Sequence, residues 1–338
     1  MPRTEFQSLV GARHEVKRGI KDKKMPLSLE LKTQPQCHIA DPNWLLTPQG
    51  DKRGFIQPAR LKELWFHTGT VCNLRCPFCL EGSKPGDNRL NRITFLEVKP
   101  LIDEARTLGV EKFSFTGGEP FVNKDIVRIL DYALNFRPCL VLTNATEPLK
   151  RRIKTIEPLL KKSHPLNLRV SLDYPDPQKH DAGRGAGNFA LSLKTLGELY
   201  KMGFGVSVAR QREKDEHVEE LDRAYHKYFK QVGVPLNTRI VSFPDFLTPG
   251  SMAKVPHITE DCMTKYHTAE GRAKFMCSFS KMVLKINDRM RVYACTLVDD
   301  DPDYDLGNSL GESMKIRIML KHHRCYSCFA DGANCSES

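Results

Sequence analysis

From Leu61 to Phe243 the chain alternates short apolar runs with amphipathic stretches, and few folds accept that pattern. Runs of strand length separated by stretches of helix length imply parallel strands joined by right-handed crossovers. The spacing predicts strands over 61–67, 110–115, 140–143, 168–172, 205–209 and 238–243. It predicts helices over 94–108, 125–135, 149–161, 189–202 and 218–229, the first opened by the capping box Thr94-Phe95-Leu96-Glu97. The expected fold class is α/β, a partial (β/α)6 TIM-like barrel followed by a small Cys-rich domain.

Three domains are expected: a basic, loosely ordered arm over 1–60 with a short strand at 27–31, the barrel over 61–250, and a cysteine-rich tail over 251–338. In such barrels the chemistry sits at the C-terminal ends of the strands. A cysteine knot follows the first predicted strand, Gly117-Gly118-Glu119-Pro120 the second and Asn144 the third, and Asp173 ends the fourth.

The 52 Lys and Arg outnumber the 41 Asp and Glu, for a net charge of +11. No aromatic interleaving of the kind that stacks bases accompanies them, so a solvated basic surface is expected and nucleic acid is not an expected partner. No apolar run approaches a membrane span, and Met1–Glu5 lacks the apolar core of a signal peptide, so no membrane role and a cytoplasmic location are expected.

Eleven cysteines in a reducing compartment point to metal or chemistry rather than to disulfides. Cys72, Cys76 and Cys79 have the spacing C-x3-C-x2-C, and three thiolates from one loop can hold zinc or an iron–sulfur cluster. Structural zinc prefers four ligands, and the only nearby histidine is His67.

The knot, with Phe78 just before its last cysteine, resembles the signature of the radical S-adenosylmethionine (SAM) superfamily. The resemblance implies a [4Fe–4S] cluster on Cys72, Cys76 and Cys79 whose fourth iron binds SAM. Reductive cleavage of SAM then yields a 5′-deoxyadenosyl radical that abstracts hydrogen from substrate. It further implies an oxygen-sensitive enzyme and a reducing donor such as flavodoxin or ferredoxin. Gly117, Gly118 and Glu119 match the element that holds the amino group of SAM. Ser171, Asp173, His180, Asp181 and Arg184 resemble a stretch of one branch, which places Ser171 and Asp173 near the ribose and Arg184 on the carboxylate of SAM. Asn144 is a further expected SAM contact. His180 and Asp181 are expected to be structural loop residues.

Cys277, Cys295, Cys325, Cys328 and Cys335, with Leu306-Gly307-Asn308, resemble the auxiliary-cluster extensions called SPASM and twitch. The full pattern is absent, and Met290 stands where the family's hairpin has glycine. Two fully ligated clusters would need eight cysteines, so one auxiliary [4Fe–4S] cluster is expected. Zinc held by Cys325, Cys328, Cys335 and His322 or His323 is the alternative. Cys37 and Cys139 are expected to be ordinary thiols, with Cys262 a reserve ligand. The substrate is unidentified, with a small metabolite slightly favoured. A maturase of a ribosomal peptide is the first alternative, and a zinc- or nucleic-acid-binding module a further one. A molybdopterin-type cyclase fits less well, because the chain ends Cys335-Ser336-Glu337-Ser338 rather than in Gly-Gly.

Overall fold

The computed structural model describes residues 41–213 and 216–332. Residues 1–40 and 333–338, and with them the expected strand at 27–31, Cys37 and Cys335, lie outside the described residues. Strand β1 (Phe55–Ile56) is short and stands before the repeat. Then come β2 (Glu63–His67), β3 (Lys112–Thr116), β4 (Cys139–Thr143), β5 (Leu166–Ser171), β6 (Gly205–Gln211) and β7 (Ile240–Phe243). These last six pair in chain order, every pair parallel. The sheet stays open, with β7 at one edge. This is the expected partial (β/α)6 barrel.

Successive side chains of a strand point to opposite faces, which sorts the strands into two cores. Leu64, Phe66, Phe113, Phe115, Val141, Leu168, Val170 and Val208 face the helices on one side. Trp65 and Leu140 face the other side, where they meet residues of the C-terminal third such as Phe246, Met282 and Leu284. The main helices are α1 (Phe95–Thr107), α2 (Ile126–Ala133), α3 (Pro177–Arg184), α4 (Asn188–Met202) and α5 (Val218–Val232). At the head of α1 Glu97 accepts from the Thr94 amide at 2.9 Å, the expected capping box.

The structure departs from the predicted pattern in four places. The helix expected over 149–161 is broken into Glu147–Lys150, Ile153–Ile156 and a 3-10 turn, Glu157–Lys161. Pro158 cannot supply the amide that a continuous helix needs there. The stretch around His180, expected as loop, is α3, capped by Asp176, which accepts from the amides of Gln178 and Lys179. Only His180 of α3 is buried, so no apolar periodicity announced it. The expected loose arm is ordered from residue 41 onward. Gly54 donates to the Ile258 carbonyl and accepts from Leu320, and β1 pairs antiparallel with β10 (Ile318–Met319).

Finally, the cysteine-rich tail is continuous with the barrel sheet. Strand β8 (Ser280–Ile286) lies parallel to β2, and β9 (Arg289–Tyr293) returns antiparallel to β8 as the other edge. The β8–β9 connection is Asn287-Asp288, with φ of 48° and 58°. A two-residue hairpin turn with both central residues left-handed matches the strand twist, and Asn and Asp tolerate that region better than most residues. The hairpin therefore forms without the glycine for which Met290 stands. No helix among the described residues is long and apolar enough to cross a membrane.

Candidate active site

The strand ends converge on a cavity of ≈ 190 Å³. Its wall includes Cys72, Cys76, Phe78 and Cys79 after β2, Gly117 and Gly118 after β3, and Asn144 after β4. Ser171 at the end of β5 and Arg184 from α3 complete the predicted set. Glu119 and Asp173 are not in the wall.

The cysteine loop leaves β2 through Thr68–Val71 and lies against the glycine turn. Gly118 donates to the Gly69 carbonyl at 2.9 Å and Glu119 to Val71 at 3.2 Å. A Cβ on Gly118 would stand 2.4 Å from the Val71 carbonyl oxygen. Gly117 has φ +133°, and its Cβ would meet Gly69 O and Thr68 Oγ1 at 2.8 Å. The glycines are required because backbone approaches backbone here, which carries the thiols to the cavity.

The Glu119 carboxylate is occupied inside the protein. It accepts from the amides of Asn144 (2.8 Å) and Phe121 (3.1 Å) and from the Thr143 hydroxyl (2.9 Å). Burial pushes the carboxyl up to about 7, against the pull of those donors. It ties the turn after β3 to the end of β4. Asn144, so placed, directs its side-chain amide to Asn73 Oδ1 at 3.0 Å and to Cys72 Sγ at 3.8 Å.

Asp173 grips Arg184 through both Nε and Nη2, and the guanidinium lies 5.8 Å from the Phe78 ring centroid. Phe78 in turn packs on Gly183, whose Cβ would stand 2.5 Å from the ring. His180 is fully buried and accepts the Asp173 amide on Nδ1. Burial lowers it to about 4, so it is neutral at pH 7. Asp181 accepts from the amides of Gly187 and Phe189. Both residues are structural, as expected, although they stand on and around a helix.

Burial also pushes the Cys72 thiol up to about 12, with Glu119 and the neighbouring thiols adding to the effect. Cys76 and Cys79 are raised by burial as well, with Arg184 opposing. Thiols so placed ionise readily only against bound positive charge, and thiolate-ligated metal supplies it. A tetrahedral zinc ion holds its sulfurs about 3.8 Å apart, as its 2.3 Å bonds require. Among the described residues no three cysteine sulfurs lie within 4.8 Å of one another. The donor set, three thiols opening on one cavity, fits a thiolate-ligated metal centre.

Four of the five C-terminal cysteines gather at a second place. Cys277 lies in the short helix Met276–Phe279, Cys295 follows β9, and Cys325 and Cys328 share a face of α6 (Cys325–Asp331). Cys295 is raised by burial and by charge interactions with the other three. Buried Lys281 interacts with Cys277 and Cys295, and its ammonium donates to the Cys277 carbonyl at 3.0 Å. Tyr304 Oη lies 3.6 Å from Cys325 Sγ. Cys139 is a buried thiol of β4. Cys262 is half-buried and receives the Thr259 hydroxyl at 3.2 Å.

The cavity wall also contains Trp65, Glu81, Ser83, Gln211, Phe243, Phe246 and Thr296, which sequence reasoning missed. Gln211 and Phe243 end strands, so the strand-end rule could have found them. Glu81 belongs to a buried network that no local pattern reveals. It accepts from His67 Nε2 at 2.8 Å and from Arg89 at 3.4 Å, and Arg89 reaches Asp299 at 2.7 Å.

Residues 66–224 match the model of the Radical SAM superfamily. Among curated relatives, the chain is 25% identical over 205 residues to GTP 3′,8-cyclase of Haemophilus ducreyi, covering 60% of this chain and 58% of that one. It is 34% identical over 140 residues to the subtilosin biosynthesis protein AlbA of Bacillus subtilis, covering 41% and 30%. It is 29% identical over 162 residues to the mycofactocin maturase MftC of Mycolicibacterium smegmatis, covering 47% and 40%. The chain thus spans between 30% and 58% of the length of these relatives. The fold is similar to that of Streptococcus suis SuiB bound to S-adenosylmethionine (TM-score 0.56, 14% identity, 82% of this chain and 69% of that one). It is also similar to that of anSMEcpe with bound AdoMet (TM-score 0.52, 14% identity, 80% and 82%). The thiol loop, the glycine turn and the strand ends that meet at the cavity all fall within the matched span, and residues 66–224 are a radical SAM superfamily domain.

Proposed function

We propose that this chain is a radical SAM enzyme whose first cluster is held by Cys72, Cys76 and Cys79. The observation that carries the reading is the opening of those thiols onto one cavity together with Gly117, Gly118, Asn144, Ser171 and Arg184. When bound, a [4Fe–4S] cluster and SAM supply reductive cleavage of SAM and a radical able to abstract hydrogen from a substrate. The chain's own residues position and enclose that chemistry. The glycine turn holds the thiol loop, Asn144 supports Cys72, and Phe78 and Arg184 close one side.

Cys277, Cys295, Cys325 and Cys328 would hold one auxiliary [4Fe–4S] cluster, with Lys281 offsetting its charge. Its role would be to take an electron from the substrate or to orient it. A basic surface suits docking of an acidic electron donor of the flavodoxin or ferredoxin kind, and the test is reduction kinetics that slow as salt rises.

Anaerobically reconstituted protein given SAM and a strong reductant should release 5′-deoxyadenosine, and protein that holds stoichiometric zinc without iron would overturn the reading. For the substrate, a small metabolite remains the first reading. Maturation of a ribosomal peptide is the second, favoured by the similarity to AlbA and MftC and to SuiB, which has been solved with its precursor peptide SuiA. Metabolite and peptide profiling of a deletion strain separates the two.

A further inference from the structure

Three side chains in the cavity wall share a property that neither cluster nor fold requires. Trp65 Nε1, Ser83 Oγ and Thr296 Oγ1 are buried and have no hydrogen-bond partner within the protein. The residues are 0%, 3% and 3% exposed. Folded proteins rarely leave such groups unsatisfied, because each loses its water without a replacement. The three arrive from different parts of the chain. Trp65 comes from the inward face of β2, Ser83 from the end of the Cys72–Cys79 loop, and Thr296 from the residue after Cys295. Three independent orphans on one cavity mark a place where a ligand completes the bonding.

The chemistry of the ligand follows from what surrounds them. The indole N–H can only donate, so the ligand must present an acceptor; the two hydroxyls can donate or accept. A carboxylate buried here would need an uncommitted cation. Among the residues in the wall the cation is Arg184, already held by Asp173, while the Glu81 carboxylate belongs to the same wall. Leu80, Phe243, Pro244 and Phe246 add apolar and aromatic surface to the same wall. We infer that Trp65, Ser83 and Thr296 form a substrate subsite that reads an uncharged carbonyl group carried on an apolar or aromatic moiety.

The inference rests on the proposed reaction only in calling the ligand a substrate. Its test uses no reductant, so it fails or succeeds apart from SAM cleavage. Three isosteric probes, 2-phenylacetamide, phenylacetone and phenylacetate, are measured by equilibrium dialysis against anaerobic holoenzyme saturated with SAM. The amide and the ketone should bind and the carboxylate should not. Thr296→Val, Ser83→Ala and Trp65→Phe should each weaken the amide about 5- to 30-fold, the range set by loss of one buried hydrogen bond.

Because Thr296→Val removes an orphan hydroxyl at nearly constant volume, it should leave the Tm of the probe-free protein unchanged or raise it by about 1–3 °C. A structural hydroxyl would instead lower it. Should Trp65→Phe fail to fold, Thr296→Val and Ser83→Ala carry the test. Failure of the amide and ketone to bind, preferential binding of phenylacetate, or probe affinity untouched by the variants would each overturn the proposal. A parallel loss of SAM affinity in the variants would assign the three groups to SAM and overturn it as well.

Discussion

Asp173, just behind the cavity wall, and Arg184, within it, form a two-pronged ion pair, with Arg184 Nη2 at 2.9 Å from Asp173 Oδ1 and the Phe78 ring resting on the neighbouring Gly183. The pair sets the outline of the site, because Arg184 reaches the cavity only as far as Asp173 allows. Asp173→Ala leaves a buried guanidinium unpaired, so stability should fall by about 3–5 kcal/mol. Urea unfolding followed by circular dichroism measures this. SAM affinity should fall at least tenfold in Arg184→Ala, measured by dialysis against labelled SAM. Equal SAM affinity in that variant would show that the pair is only architectural.

Cys76→Ala should abolish 5′-deoxyadenosine release while the fold survives, because Cys76 is half-buried and supports no packing core. Iron per chain should drop from about eight to about four, as two cubes give way to one. Anaerobic iron and sulfide analysis supplies the count.

Gly118→Ala should behave like a cysteine-loop deletion. The added methyl would meet the Val71 carbonyl oxygen at 2.4 Å, and neither backbone can yield without moving the loop. Loss of the first cluster with retention of the second is the expected result. Electron paramagnetic resonance of the reduced protein distinguishes the two centres.

Cys277→Ser should remove the other centre and leave SAM cleavage standing. Iron near four per chain, together with continued 5′-deoxyadenosine release, is the expected pair of outcomes. In the chain with all its cysteines, Lys281→Met should lower the reduction potential of this second centre, because it withdraws a buried positive charge from beside Cys277 and Cys295. A spectroelectrochemical titration tests that direction.

His180 makes stability depend on pH in a known direction. Burial lowers its folded value to about 4, below the ordinary 6.5, so the unfolded chain takes up the proton first as pH falls. Its contribution is therefore complete above 6.5 and is lost between 6.5 and about 4, to a limit of about 3 kcal/mol. His180→Asn keeps an acceptor for the Asp173 amide and should flatten the pH dependence over that window. Urea midpoints at intervals of half a pH unit give the comparison.

The barrel was legible in the sequence because its inner strands place alternate residues in a helix-facing core, as Leu64 and Phe66 do on β2. The thiol loop was legible because three cysteines at fixed spacing admit few meanings. Other features were hidden for physical reasons. Helix α3 buries only His180, so it leaves no apolar stripe. The order of residues 41–60 depends on pairing with Ile258 and Leu320, which no local window contains. Glu119 and Asp173 stand at the strand ends as expected, yet their carboxylates turn inward to backbone amides and to Arg184. Motif spacing locates a residue but leaves open which way its side chain faces. Trp65 illustrates the converse case, an apolar strand residue whose one polar atom emerges only when the strands are assembled.

Strand β8 lies in register on β2, with Leu64 beside Lys281 and Phe66 beside Val283. The strand that launches the first thiol loop is thus hydrogen-bonded to the strand that opens between Cys277 and Cys295. A chain cut near residue 250 would bare Trp65 and Leu140 to water and strip β2 of its neighbour. Strands β8 and β9 buttress the strand that carries the first thiol loop, and Thr296 beyond them joins the cavity wall, so anything that loosens one cysteine group from the backbone outward should be felt at the other.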